Sequence, residues 1–105
     1  MRVVIAEDAA VMREGLKALL EERGHEVRSV GDGDALLEAV AGDPPDVAVV
    51  DIRMPPSHTD EGLRAAIALR QRHPGVGVLV FSQYVETRYA RRLLAGNPAG
   101  VGYLL

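Results

Sequence analysis

The stretch Asp46-Val47-Ala48-Val49-Val50-Asp51-Ile52-Arg53-Met54-Pro55-Pro56 decides the fold. Its apolar run is dense in β-branched residues and lacks polar alternation, as expected of a parallel strand covered on both faces. The pattern predicts a strand over Asp46 to Val50, and the two prolines bar it from continuing. Asp51 is therefore a lone carboxylate where a buried strand runs out. A second acidic site, Glu7-Asp8, closes another apolar run, Val3-Val4-Ile5-Ala6.

Outward from these two runs, strands and helices alternate. The first strand, Arg2 to Ala6, precedes a helix predicted over about Ala9 to Arg23, whose apolar positions Val11, Met12, Leu16, Leu19 and Leu20 recur at helical spacing. Gly24 is its expected C-cap. His25 to Val30 reads as a half-exposed edge strand, and Asp32-Gly33-Asp34 opens a short helix, Ala35 to Ala41, with acids at its positive end. After Asp51 a polar loop leads to Thr59 or Asp60, either able to cap a third helix that reaches about His73. Val76 to Phe81 is the fourth strand, Glu86 to Ala95 a fourth helix, and Gly100 to Leu105 a fifth strand. This order gives a doubly wound α/β sheet with right-handed crossovers. Ligands bind such sheets at the carboxyl ends of the strands. Glu7, Asp8, Asp51 and Ser82 all fall just past strand ends, so they share one rim.

The bulk properties bound the rest. At 105 residues the chain is one domain, large enough to bury roughly 65% of its unfolded surface. Without cysteine it has no disulfide, thiolate metal site or cysteine nucleophile. A net charge of -3 argues against this domain holding nucleic acid by itself. No apolar run approaches the ~20 residues that span a bilayer, so a soluble cytoplasmic domain is expected.

Carboxylates crowded on one rim repel one another, and a hard divalent cation relieves that. Mg²⁺ takes oxygen ligands, typically one or two carboxylates with waters and phosphate oxygens. With such a cation beside it, Asp51 has the chemistry to attack phosphorus and become an aspartyl phosphate. The plainer reading is that each acid caps a helix or turn. For Glu7-Asp8 alone that reading is the stronger; the convergence of four strand-end residues outweighs it.

Over its whole length the chain resembles the receiver domain of two-component response regulators. Ile5-Ala6-Glu7-Asp8 resembles the family's acidic pair, Asp51-Ile52-Arg53-Met54-Pro55 its phospho-acceptor segment, and Phe81-Ser82 the small hydroxyl position after strand 4. Gly100-Val101-Gly102-Tyr103-Leu104-Leu105 resembles the strand carrying the switch aromatic, and the whole is most similar to the NarL/LuxR-type class. The resemblance implies a flavodoxin-like five-stranded sheet in the order 2-1-3-4-5. It implies that Asp51 accepts a phosphoryl group from a sensor histidine kinase. Asp8, Asp51 and the main-chain carbonyl of Arg53 would bind Mg²⁺, with Glu7 acting through a metal-bound water. Ser82 and Tyr103 would be the switch, and the face of Arg88, Tyr89, Arg91 and Arg92 a partner surface, with a solvated helix face as its plainer alternative. DNA would be reached only through an output domain outside this chain, and a second copy of the chain is a candidate partner. The domain would be no enzyme beyond Mg²⁺-dependent phosphorylation and dephosphorylation of its own Asp51.

Two departures qualify the resemblance. The family's lysine is expected three positions after the switch aromatic, and the sequence stops two positions after Tyr103. The final helix is absent as well, so residues 1–105 are expected to be a receiver domain cut before it. Without that helix one alternate set of side chains should face water, either Val78 and Val80 or Leu79 and Phe81. Rival functions are a stand-alone receiver acting through a protein partner, an aspartate-nucleophile phosphohydrolase, and a flavin binder. The phosphohydrolase wants an acid two residues after the nucleophile, where Arg53 stands; the flavin binder wants a hydroxyl-rich loop after the first strand. Gly31-Asp32-Gly33 lacks the third glycine of a phosphate cradle. His25, His58 and His73 are expected as exposed turn or edge residues.

Overall fold

A computed structural model describes residues 1–81 and 100–104. The elements are β1 (Arg2–Ala6), α1 (Ala10–Glu22), β2 (Glu26–Val30), α2 (Gly33–Gly42), β3 (Val47–Asp51), α3 (Glu61–Arg72), β4 (Gly77–Phe81) and β5 (Val101–Leu104). The five strands form one parallel sheet in the order β2-β1-β3-β4-β5, the flavodoxin-like arrangement expected from the sequence. The helix expected over residues 86–95 lies outside the described residues.

Local chemistry explains where the elements stop. Gly24 leaves α1 with φ 91°, a backbone that a side chain would strain, and its N–H donates to Glu21 O at 3.0 Å. Asp32 caps α2 by accepting from the Ala35 N–H at 2.8 Å, the role expected of an acid there. At α3 the expected cap differs. Asp60 occupies the N-cap position, but its carboxylate is drawn off by Arg64 one turn on, at 2.8 Å. Glu61 instead accepts from the backbone N–H groups of Ser57 at 2.7 Å and Thr59 at 3.1 Å, and from the Ser57 hydroxyl. Hydrogen bonds from the Ser57 side chain and backbone hold the Glu61 carboxyl down to about 2. The loop after β3 is thereby folded back on the start of α3.

The core lies between the sheet and the layer of α2 and α3. Leu36, Val40, Leu63, Ala66 and Leu69 pack onto Val4, Ala6, Ala48, Val50, Val78 and Val80, with Ile52 and Met54 buried at the rim. On the other face, Val3 and Ile5 of β1 are buried, whereas Val47, Val49, Leu79 and Phe81 are only half-buried. The alternation left open by the sequence is thus resolved in favour of Leu79 and Phe81 as the more exposed set.

Helix α1 departs from expectation. Its helical period is as read, yet none of its residues is buried: Val11 is 89% exposed, Met12 46% and Leu19 48%. The helix packs against β1 and the edge strand β2, leaving Leu16 and Leu20 half-covered. Apolar spacing establishes a helix; how deeply it is covered depends on neighbours that spacing does not encode.

This uneven cover sets a stability order. Leu36→Ala or Leu69→Ala, at fully buried positions, should cost about 2–5 kcal/mol in denaturant unfolding, and Leu79→Ala distinctly less. Equal losses at all three would mean that the second face is as tightly packed as the first.

Candidate functional site

Register places the two acidic strand ends side by side. Ala6 pairs with Val50, so Glu7 stands level with Asp51 on the neighbouring strand. Glu7 continues the ladder of β1 by donating its N–H to Val30 O at 3.0 Å. Asp51 is itself the last residue of β3, opposite Phe81, and the Ile52 N–H reaches Phe81 O at 3.2 Å. The strand therefore runs Val47–Asp51, one residue later than the sequence pattern indicated, because pairing with β4 continues through the acid.

Glu7, Asp8 and Asp51 each present a carboxylate oxygen within 4.8 Å of the others. Their exposures differ. Glu7 is buried at 4%, while Asp8 and Asp51 are partly open. Burial is the main force lifting the Glu7 carboxyl to about 7, opposed by the Ala9 N–H donating to its Oε1 at 2.9 Å and reinforced by the neighbouring Asp51 charge. Burial raises Asp51 also, whereas hydrogen bonding with Glu7 and with the backbone around Arg53, whose N–H donates to Asp51 Oδ1, favours its charged form. Burial and the neighbouring Asp51 charge thus favour the neutral form of Glu7.

The backbone holds this cluster closely. A Cβ on Gly62 would lie 1.7 Å from Asp51 O, and the Gly62 N–H donates to Ile52 O at 2.8 Å. Only glycine lets the first turn of α3 sit directly on the end of β3. Arg13 Nη1 donates to Glu7 O at 2.9 Å and reaches Asp8 O at 3.4 Å. His58, with φ 55°, sets its Nδ1 3.6 Å from Asp8 Oδ2. Sequence reading missed all three. It took His58 for an exposed turn residue, which it is, without its approach to Asp8. His25 precedes β2 and His73 caps α3 at its C-terminus, and both are half-buried where exposed positions were expected.

Of the other candidates, Arg53 follows two residues after Asp51 and its N–H donates to Asp51 Oδ1 at 3.4 Å. The backbone of Tyr103 lies in β5 opposite Val80. Ser82, Arg88, Tyr89, Arg91 and Arg92 are outside the described residues. A separate depression of about 400 Å³ on the same rim is lined by Asp32, Gly33, Pro55, Pro56, Glu61 and Arg64, and none of the three clustered acids borders it.

A doubly wound parallel sheet with three carboxylates meeting at its C-terminal rim is the frame of an acidic-rimmed signalling or phosphoryl-handling domain. Residues 3–103 match the response regulator receiver domain family, and the chain belongs to it. Relatives include the transcriptional regulatory protein DegU of Brevibacillus brevis, 37% identical over 107 residues, covering 100% of this chain and 43% of the relative. The oxygen regulatory protein NreC of Staphylococcus haemolyticus is 30% identical over 102 residues, covering 95% of this chain and 46% of the relative. These relatives support the NarL/LuxR-type class, and the chain spans less than half of their length. The fold is shared with a CheY-like receiver domain protein of Methanospirillum hungatei JF-1, with a TM-score of 0.86, 21% identity, and 99% and 78% of the two chains covered.

Two outcomes test this geometry. Gly62→Ala should destabilise by roughly 1–3 kcal/mol or more, because backbone must move to admit the methyl group. Gly15→Ala is the control: nothing lies within 4 Å of its Cβ in α1, and it should stabilise by about 0.5–1 kcal/mol. Denaturant melts that rank the two alike would refute the close approach.

The second outcome concerns pH. A carboxyl raised in the folded state favours folding while protonated, so Glu7 stabilises the metal-free chain fully below 4.5 and loses that contribution as pH rises through about 7. Glu7→Gln cannot ionise. Its stability relative to the parent should therefore improve steadily across that window in EDTA, and a gap independent of pH would contradict the raised carboxyl.

Proposed function

We propose that Asp51 is the phospho-acceptor of this receiver domain, taking a phosphoryl group from a histidine kinase. The observation that supports this most is the Asp51 carboxylate at the end of β3, within 4.8 Å of those of Glu7 and Asp8. The donor set is oxygen only, and three acidic groups lie side by side. Both fit a hard divalent cation such as Mg²⁺. Asp8, Asp51 and the Arg53 carbonyl would hold it, with Glu7 acting through a water. Bound there, Mg²⁺ supplies positive charge that offsets the charge of the phosphoryl oxygens.

In the transfer, an Asp51 carboxylate oxygen forms a bond to phosphorus while the phosphorus–nitrogen bond of the kinase phosphohistidine breaks. The departing imidazole keeps the electron pair and takes up a proton. The backbone N–H groups of Ile52 and Arg53 favour the ionised form of Asp51, which is the nucleophile. Hydrolysis later returns Asp51 to the free acid. Ser82 and Tyr103 would respond to the phosphoryl group and bias a two-state surface that includes Arg88, Tyr89, Arg91 and Arg92. In the whole protein this surface would govern a DNA-binding output in the cytoplasm, a role that rests on the regulatory relatives.

A small-molecule phosphodonor with Mg²⁺ should label the full-length protein on Asp51 as a base-labile acyl phosphate. Asp51→Ala should abolish the label and Asp8→Asn most of it, by removing one formal charge from the cation site. Label found by mass spectrometry on Ser82 or a histidine would overturn the assignment.

A further inference from the structure

The three-residue link between β1 and α1 carries both Glu7 and Asp8, and its support is unusual. Ala9 stands at the N-cap of α1 with no side chain able to cap, and the first turn contains no acid. On one side the link is fixed by Glu7 itself, through its N–H to Val30 O and its Oε1 from the Ala9 N–H. Asp8 makes no such backbone anchor among the described residues, its carboxylate lying 3.6 Å from His58 Nδ1. The other side is held by Arg13, which sits one turn into α1 and reaches back. Its Nη1 donates to Glu7 O at 2.9 Å and approaches Asp8 O at 3.4 Å, so one guanidinium nitrogen spans two successive peptide carbonyls. The same nitrogen lies 3.6 Å from the position a Cβ would take on Gly31, at the end of β2. The side chain is 24% exposed, and its contact with the Glu14 carboxylate is a marginal 4.0 Å.

We propose that Arg13 is the positioning residue of the acidic pair. By fixing the Glu7 and Asp8 carbonyls it orients the two peptide planes from which the clustered carboxylates extend. It thereby sets the affinity of the site for a divalent cation. This rests on the cation reading given above. A purely electrostatic role makes the opposite forecast: a guanidinium near the site repels an incoming cation, and removing it would tighten binding. The positional effect should win. Partners that orient metal ligands are worth about 10–100-fold in affinity, whereas repulsion from a partly exposed charge is screened.

The test uses Mg²⁺ alone, titrated calorimetrically into the full-length protein, with carbonyl ¹³C resonances of residues 7 and 8 followed without metal. Arg13→Met should weaken Mg²⁺ binding about ten-fold and shift both resonances. Arg13→Lys, whose ammonium can reach the Glu7 carbonyl, should recover most of the affinity. Unchanged or tighter binding in Arg13→Met overturns the proposal. If Arg13→Met fails to fold, Arg13→Gln, polar but too short to span both carbonyls, takes its place: weaker binding with shifted resonances supports the role, and unchanged or tighter binding overturns it. Asp8→Asn separates the two ideas. Should it bind Mg²⁺ as well as the parent, the cation site itself is wrong and the proposal falls with it; should it lose binding while Arg13→Met retains it, only the role of Arg13 fails.

Discussion

Three carboxylates held within 4.8 Å of one another, one of them buried, are the constraint on which the rest of this structure turns. Two unit charges at that separation repel by about 3 kcal/mol at an effective dielectric near 20. The metal-free protein lessens this in that burial and the Asp51 charge push the Glu7 carboxyl up, which favours its neutral form. It does not lessen it by separating the acids, because the sheet forbids that: Ala6 and Val50 are paired, and the next residue of each strand must stand alongside. The neighbouring backbone is equally committed, with Gly62 against Asp51 O on one side and Arg13 on the Glu7 and Asp8 carbonyls on the other. Geometry thus keeps like charges together, and oxygen donors so placed could hold a divalent cation.

The sheet was legible because its signal is local. Val3 to Ala6, Val47 to Val50 and Val78 to Phe81 are apolar without alternation, and a strand buried from both sides needs no knowledge of its partner to be recognised. Boundaries were less so. Asp51 belongs to β3 because Phe81 pairs with it, and that pairing lies thirty residues away in sequence. Depth of cover was least legible of all. Val11 and Leu19 have the same apolar character as Leu36 and Leu69, yet the first pair is exposed and the second buried. The difference lies in which elements pack alongside each helix.

The candidate site divides in the same way. Glu7, Asp8 and Asp51 could be chosen from sequence because strand ends of a doubly wound sheet share one rim, a rule of topology. Gly62, Arg13 and His58 could not. A glycine in the first turn of a helix signals nothing until Asp51 O is found where its Cβ would be. An arginine on an amphipathic helix reads as solvated until its guanidinium is seen to lie on two carbonyls. His58 comes near Asp8 because Glu61 gathers Ser57 and Thr59 and folds the loop back, a set of bonds visible only in three dimensions.

The energetics of the site argue for where its remaining chemistry must come from. A phosphoryl group on Asp51 would replace one carboxylate charge with the roughly 1.5–2 negative charges of a phosphate, a net gain of about one or less, in a cluster that already gathers three acids. By the same Coulomb scale, each close contact with Glu7 or Asp8 would cost several kcal/mol, comparable with the roughly 5–15 kcal/mol that holds a domain together. Among the described residues, Arg13 is turned toward backbone carbonyls and His58 lies at the outer edge of Asp8. Neither makes a described bond to Asp51. In the reading proposed above, the modified state would depend on positive charge brought to the rim, for which a divalent cation held by these acids is the candidate.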